Sequence, residues 1–126
     1  MAIFTYPKIS LRLYDYLLSL IQSGVSFDAT NTISGTNTAE LNTRSGTVTY
    51  TDVLDASNFQ PYVLVNALIS PSSFVDYALN YDGDSNDGVP QIVHIKKEDG
   101  QVTFYFENLD ILPTNADLVV DFIIIS

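Results

Sequence analysis

The segment Leu118, Val119, Val120, Asp121, Phe122, Ile123, Ile124 and Ile125 limits the fold more than any other stretch of the chain. Its β-branched and aromatic side chains suit a pleated strand better than a helix. A half-exposed strand alternates apolar and polar positions, whereas only Asp121 interrupts this one. Both faces are therefore expected to be covered. Each large side chain left in water would forgo about 1.5–3 kcal/mol, and an open strand of this kind would template aggregation. The second face needs a cover, either a helix of the same chain or symmetry-related copies.

A candidate helix stands near the N-terminus. Leu13, Leu17, Leu20 and Ile21 recur at helical spacing, with Tyr14 and Leu18 beside them. Ser10 suits the N-cap and Gly24 the stop, so the spacing predicts a helix over 10–23. Ile9, Leu11 and Leu13 also alternate, which is the competing strand reading. Its apolar stripe either covers the sandwich or serves as a trimerising or docking element. The expected oligomer interface is accordingly Leu13, Leu17, Leu20 and Ile21 together with Phe122 and Ile124 of the final strand.

Residues 28–45 are rich in Thr, Asn, Ser and Gly and read as a linker or extended arm. From residue 46 onward the chain alternates like strands. Six are predicted, over 47–53, 62–69, 74–81, 91–97, 102–107 and 118–125. Pro71 with two serines, residues 82–88, Asp99-Gly100 and residues 113–115 mark the turns between them. Asp-Gly supplies the positive φ that a tight hairpin requires. Many short strands at this spacing favour an antiparallel β-sandwich over alternating βαβ units. The expected organisation is a helical segment over 1–27, an arm over 28–45 and a β-sandwich over 46–126, the whole being mainly β.

Composition excludes several classes of function. Fifteen acidic against five basic residues give a net charge of −10, which repels nucleic-acid backbones and anionic membranes. No apolar run approaches the about 20 residues that span a bilayer. The chain begins with Met, shows no targeting signal and reads as complete. Without cysteine there is no disulfide, thiolate nucleophile or Cys-based zinc site. His94, the one histidine, alternates in phase with Ile92 and Lys96 and reads as an ordinary strand residue. A lone imidazole without a Gly-x-Ser-x-Gly elbow gives nucleophilic catalysis no footing, so no enzymatic activity is expected.

One loop has the look of a ligand site. Asp82, Asp84 and Asn86 alternate as oxygen ligands do in a calcium loop. The pattern then fails, because Asp87 stands where the obligatory Gly belongs and Val93 where the bidentate Glu belongs. No cofactor is expected, with calcium at residues 82–87 the one exception the pattern leaves open. Tyr81, Asp82, Asp84, Asn86 and Asp87 are the candidate ligand contacts, with Tyr81 placed to stack on a sugar.

Three features carry a family resemblance. Gly46-Thr47-Val48-Thr49-Tyr50 is followed by Phe59-Gln60-Pro61-Tyr62-Val63. A late hairpin then bears the aromatic run Val102-Thr103-Phe104-Tyr105-Phe106. The chain ends on Val119-Val120-Asp121-Phe122-Ile123-Ile124-Ile125. In these respects it resembles the C-terminal knob domains of bacteriophage tail fibres, small sandwiches with an H-type-lectin-like plan. Those knobs usually close with an aromatic before Ala-Ile-Gly, whereas this chain closes on Ile-Ile-Ser. The resemblance implies a homotrimer with strands near its threefold axis. It implies a virion surface protein, made in the host cytoplasm, that meets other virion proteins through its N-terminal segment. Because some 45 residues precede the sandwich and no shaft is seen, a capsid decoration, head fibre or short tail fibre is the expected type. The alternative is a receptor- or glycan-binding module of a tail fibre or of a bacterial cell.

Overall fold

A computed structural model describes residues 30–125. These residues form eight strands and no helix. The strands are β1 (Thr32–Gly35), β2 (Thr38–Glu40), β3 (Ser45–Tyr50) and β4 (Phe59–Val65), then β5 (Phe74–Tyr81), β6 (Pro90–Glu98), β7 (Gln101–Asn108) and β8 (Leu118–Ile125). One sheet has the order β1-β3-β8-β5 and the other β2-β4-β7-β6. Every connection but the β6–β7 hairpin crosses from one sheet to the other. From β3 onward the chain winds in jelly-roll fashion, the pairs β3–β8 and β4–β7 lying at the heart of the two layers. The expected helix over 10–23, with Leu13, Leu17, Leu20 and Ile21, lies outside the described residues.

Alternation sorts the side chains. Leu118, Val120, Phe122 and Ile124 of β8 point between the sheets. They meet Tyr62 and Leu64 of β4 and Val102, Phe104 and Phe106 of β7 in one core. Phe106 meets Tyr62 edge-on with centroids 5.1 Å apart, a geometry that aligns ring edge with ring face. Tyr50 closes the same cluster 5.1 Å from Tyr62.

The apolar character of β8 has a plainer cause than an oligomer axis. Phe122 is 1% exposed and Ile124 is fully buried within the chain's own core, so neither has surface to offer another copy. This corrects their assignment to an oligomer interface. The opposite face of β8 carries Val119, Asp121 and Ile123, which the described residues leave half-buried. Asp121 is held there by a hydrogen bond from the Thr47 hydroxyl at 2.7 Å and another from the Asn80 amide.

The Thr- and Asn-rich segment is not merely an arm. β1 pairs in parallel with β3 and β2 in parallel with β4, so it supplies an edge strand to each sheet. The sandwich thus begins near residue 31 instead of 46. These short edge strands carry few apolar side chains because each buries little: Ala39 goes inward while Thr38 and Glu40 stay exposed. Pro61 sits within β4 at a level that β2 does not reach. Its missing N–H therefore costs no ladder bond. Gly100 has φ 82° in the β6–β7 turn, as the Asp-Gly pair requires.

Among the described residues, the buried hydroxyls of Tyr50 and Tyr62 have no hydrogen-bond partner. Burial raises both phenols, and the charges of Asp52 and Asp55 add to the effect on Tyr62, which is pushed up to about 12. The folded state therefore keeps protons that the unfolded chain begins to release near the ordinary tyrosine value of about 10. Stability from this source is intact below that pH and falls as pH rises above it. Tyr50→Phe with Tyr62→Phe is expected to raise the unfolding free energy by about 1 kcal/mol, since an unpaired buried hydroxyl carries a desolvation cost. The same double variant should flatten the alkaline decline. Chemical denaturation at neutral and alkaline pH measures both effects, and a less stable variant would show that the hydroxyls have partners after all.

Candidate binding face

The strands run so that both described ends of the chain, Thr30 and Ile125, lie at one end of the sandwich. The loops 36–37, 51–58, 82–89 and 109–117 gather at the other, here termed the tip. The tip carries seven carboxylates (Asp52, Asp55, Asp82, Asp84, Asp87, Asp110 and Asp117) and no Lys or Arg.

Asn108 ties the tip together. Its side chain is almost fully buried. The amide nitrogen donates to the carbonyls of Leu54, Asp55 and Leu112 at 3.2, 3.1 and 2.7 Å. Its oxygen accepts from the backbone amides of Val89 and Asp110 at 3.1 and 3.0 Å. Three loops are joined by this one side chain. Gly88 approaches it so closely that a Cβ there would lie 2.5 Å from the Asn108 amide nitrogen, which is why no larger residue fits.

The loop after β5 does bring the expected contact residues together, but to hold its own shape. Asp84 accepts from the amide of Asn86 at 2.8 Å, and Asp87 accepts from the amide of Asp84 at 2.8 Å. The second oxygen of Asp87 accepts from the side-chain amide of Asn115 at 2.7 Å. The hydroxyl of Tyr81 accepts from the backbone amide of Asn115 at 3.3 Å, and its ring lies across Gly83, where a Cβ would come within 2.2 Å of it. Tyr81 is thus half-buried with its hydroxyl engaged, not displayed for stacking. Asp82 is exposed. Among the described residues no three His, Cys, Asp or Glu side chains converge as a metal site, and the carboxylates of Asp84 and Asp87 accept from turn-forming amides.

A different surface displays unengaged groups. On the outer face of the β2-β4-β7-β6 sheet, the pairing of β6, β7 and β4 sets Gln91 beside Glu107 and Glu107 beside Phe59. One level down it sets His94 beside Tyr105 and Tyr105 beside Pro61. The rings of Phe59 and Tyr105 are 5.6 Å apart and inclined by only 13°. The imidazole of His94 lies 5.6 Å from Tyr105 on the other side. Phe59 is 55% exposed, and Val89 and Leu109 continue the apolar surface toward the tip, joined by a hydrogen bond from the Leu109 amide to the Val89 carbonyl.

A β-bulge creates this row. The register of β6 against β7 shifts between Ile92 and His94. Ile92 packs against the core, yet His94 is exposed on the same face as Lys96. Strict alternation would have put His94 with Ile92. The inserted Val93 turns the imidazole outward onto Tyr105, and bulges of this sort commonly re-aim a side chain.

Phe59, Tyr105, Gln91 and Glu107 were not singled out in the sequence. A signal was there: Tyr105 lies between the inward Phe104 and Phe106, so it must face outward. Phe59 is likewise out of phase with the buried Tyr62 and Leu64.

On the other sheet, a shallow hollow of about 210 Å³ runs along Asp76, Ala78, Asp121 and Ile123. The Asp121 carboxylate in it is already held by Thr47 and Asn80.

No protein-family model matches the chain, and no curated protein and no solved structure is found similar to it.

Proposed function

We propose that this chain is a non-catalytic structural protein of a bacteriophage particle surface, of the capsid-decoration, head-fibre or short tail-fibre type, working as a homotrimer. The observation that carries this reading is the polarity of the sandwich. Thr30 and Ile125 lie at one end, so the apolar segment that precedes Thr30 joins the domain there. The acidic tip stands at the far end. Such a domain is attached from one side and presents the other. Jelly-roll winding is common to capsid and lectin domains, which agrees with the reading by analogy of fold alone. The lone imidazole of His94 stands beside a phenol ring, and among the described residues no carboxylate is bonded to it to orient it as a general base.

In this reading Leu13, Leu17, Leu20 and Ile21 contribute to trimerisation or to docking on other virion proteins. Light scattering should give a mass near three times 13.9 kDa; a monomer at all concentrations would remove the trimer. A structure of the parent particle tests the remainder. The tip should point away from the particle and the Thr30 end toward it. Absence of the chain from purified particles would overturn the assignment.

A further inference from the structure

We propose that the free edge of β5 is a strand-addition site and that residues 8–12 of the same chain fill it, running antiparallel to β5. The inference rests on the sandwich and on the sequence that precedes it, not on the virion reading.

Three of the four sheet edges are blunted. β1 and β2 are four and three residues long. β6 opens on Pro90, is broken by the bulge at Val93 and carries Lys96 and Lys97. Short strands, proline, bulges and lysine all keep an edge from pairing with stray strands. β5 has none of these. Its eight residues pair with β8 without a register shift, and among the described residues nothing pairs with its other side. A long regular edge left open is a template for open-ended association.

The side chains of β5 set the terms for a partner. Tyr77 points between the sheets, opposite Phe122 and edge-on to Phe104 at 5.7 Å. Yet it is 36% exposed, because no described strand lies beyond it. On the outer face Asp76, Ala78 and Asn80 are exposed. Among the described residues no hydrogen bond or ion pair engages the Asp76 carboxylate. The small Ala78 leaves the hollow of about 210 Å³ open between Asp76 and Asp121, with room for a cationic side chain. A matching strand therefore brings apolar side chains beside Tyr77 and Leu79 and a cation beside Asp76.

Residues 8–12 read Lys8-Ile9-Ser10-Leu11-Arg12. They alternate apolar with basic or small polar residues and hold two of the chain's five basic side chains. With Arg12 opposite Asp76, antiparallel pairing sets Leu11 opposite Tyr77, Ser10 opposite Ala78, Ile9 opposite Leu79 and Lys8 opposite Asn80. Opposite residues share a face, so Ile9 and Leu11 extend the core layer while the cations meet the outer carboxylates. Pro7 falls opposite Tyr81, the last residue of β5, where its missing N–H costs no ladder bond. The segment then leaves at the end of the sandwich where Thr30 lies. Four strand spacings, about 19 Å, separate it from β1. Residues 13–29 cover that distance even as a helix, at about 26 Å. Pairing stops at Arg12, so the stripe from Leu13 to Ile21 is left to the contacts proposed above.

The chain has no cysteine, so an engineered pair reports the register directly. Ser10→Cys with Ala78→Cys, in the full chain, should oxidise to a disulfide within one chain, seen without reductant as a monomer band of raised mobility. Ala78 is exposed, so the reduced variant should keep the parent circular dichroism. Leu11→Cys with Ala78→Cys puts the thiols on opposite faces and should stay reduced. Arg12→Glu sets two carboxylates side by side and should slow disulfide formation several-fold; adding Asp76→Arg should restore it. Amide hydrogen exchange on the unaltered chain gives a second readout. Alternate β5 amides point away from β8, and they should be as protected as the others. The proposal is overturned if the pair at 10 and 78 stays reduced, if the pair at 11 and 78 oxidises as fast, or if alternate β5 amides exchange freely. It is also overturned by disulfide-linked dimers, which would mean that a neighbouring copy supplies the strand.

Discussion

Asn108→Asp should destabilise the protein more than Asn108→Ala, although it alters fewer atoms. Alanine removes the contacts to three carbonyls and two amides. At about 0.5–1.5 kcal/mol net for each bond, some recovered by water, the loss is about 3 kcal/mol. Aspartate keeps the acceptor but aims a second oxygen at the carbonyls of Leu54, Asp55 and Leu112. That carboxylate is buried, faces only acceptors and joins an end already rich in carboxylates. Its pKa should therefore rise in the folded state. The native form then holds a proton that the unfolded form loses above about pH 4, so the penalty grows as pH rises past that point and eases below it. Urea denaturation of both variants at neutral and acidic pH separates the two effects. Equal stability at neutral pH would mean that Asn108 does not face those carbonyls as a donor.

Ile124→Asp should abolish folding. Ile124 has no exposed surface and lies opposite Val75 between the sheets. The change forfeits about 1.5–3 kcal/mol of apolar burial. It also places a carboxylate with no partner in the core, at a further several kcal/mol. Domains are stable by only about 5–15 kcal/mol in all. The neighbouring Ile123→Asp gives the contrast, because Ile123 is on the outer face and half-buried. It should fold with native circular dichroism, whereas the Ile124 variant should lack β signal and precipitate. A soluble, folded Ile124→Asp would contradict the layering of β8.

The fold was legible wherever apolar residues alternate. The strand over 74–81 and the final strand have the bounds expected of them. What the sequence hid follows from how little some strands bury. β1 and β2 are short, lie at sheet edges and expose half or more of their residues, so their Thr and Asn content resembles that of an arm. The apolar outer positions of β8 pointed to a second cover. Local hydropathy cannot tell a fully buried Ile124 from a half-buried Ile123, since both read as isoleucine. His94 was misplaced for another reason, because a single inserted residue in β6 inverts every later side chain. The acidic loop resembles a ligand site in composition, yet the carboxylates of Asp84 and Asp87 hold its own turn. The aromatic row was harder to see. Its members come from β4, β6 and β7 and become neighbours only through strand pairing.

The placement of Thr30 also bears on mechanical load. A pull on the chain there, resisted at the tip, acts along the strand axes. The rungs joining β1 to β3 at Thr32, Ile33, Ser34 and Gly35 are parallel in register. They would share such a force in shear and fail together, where a sideways pull would part them one after another. The β3–β8 ladder behind them is six pairs long and lies on the same axis. The sandwich is therefore stiffest in the direction in which a tethered domain is dragged.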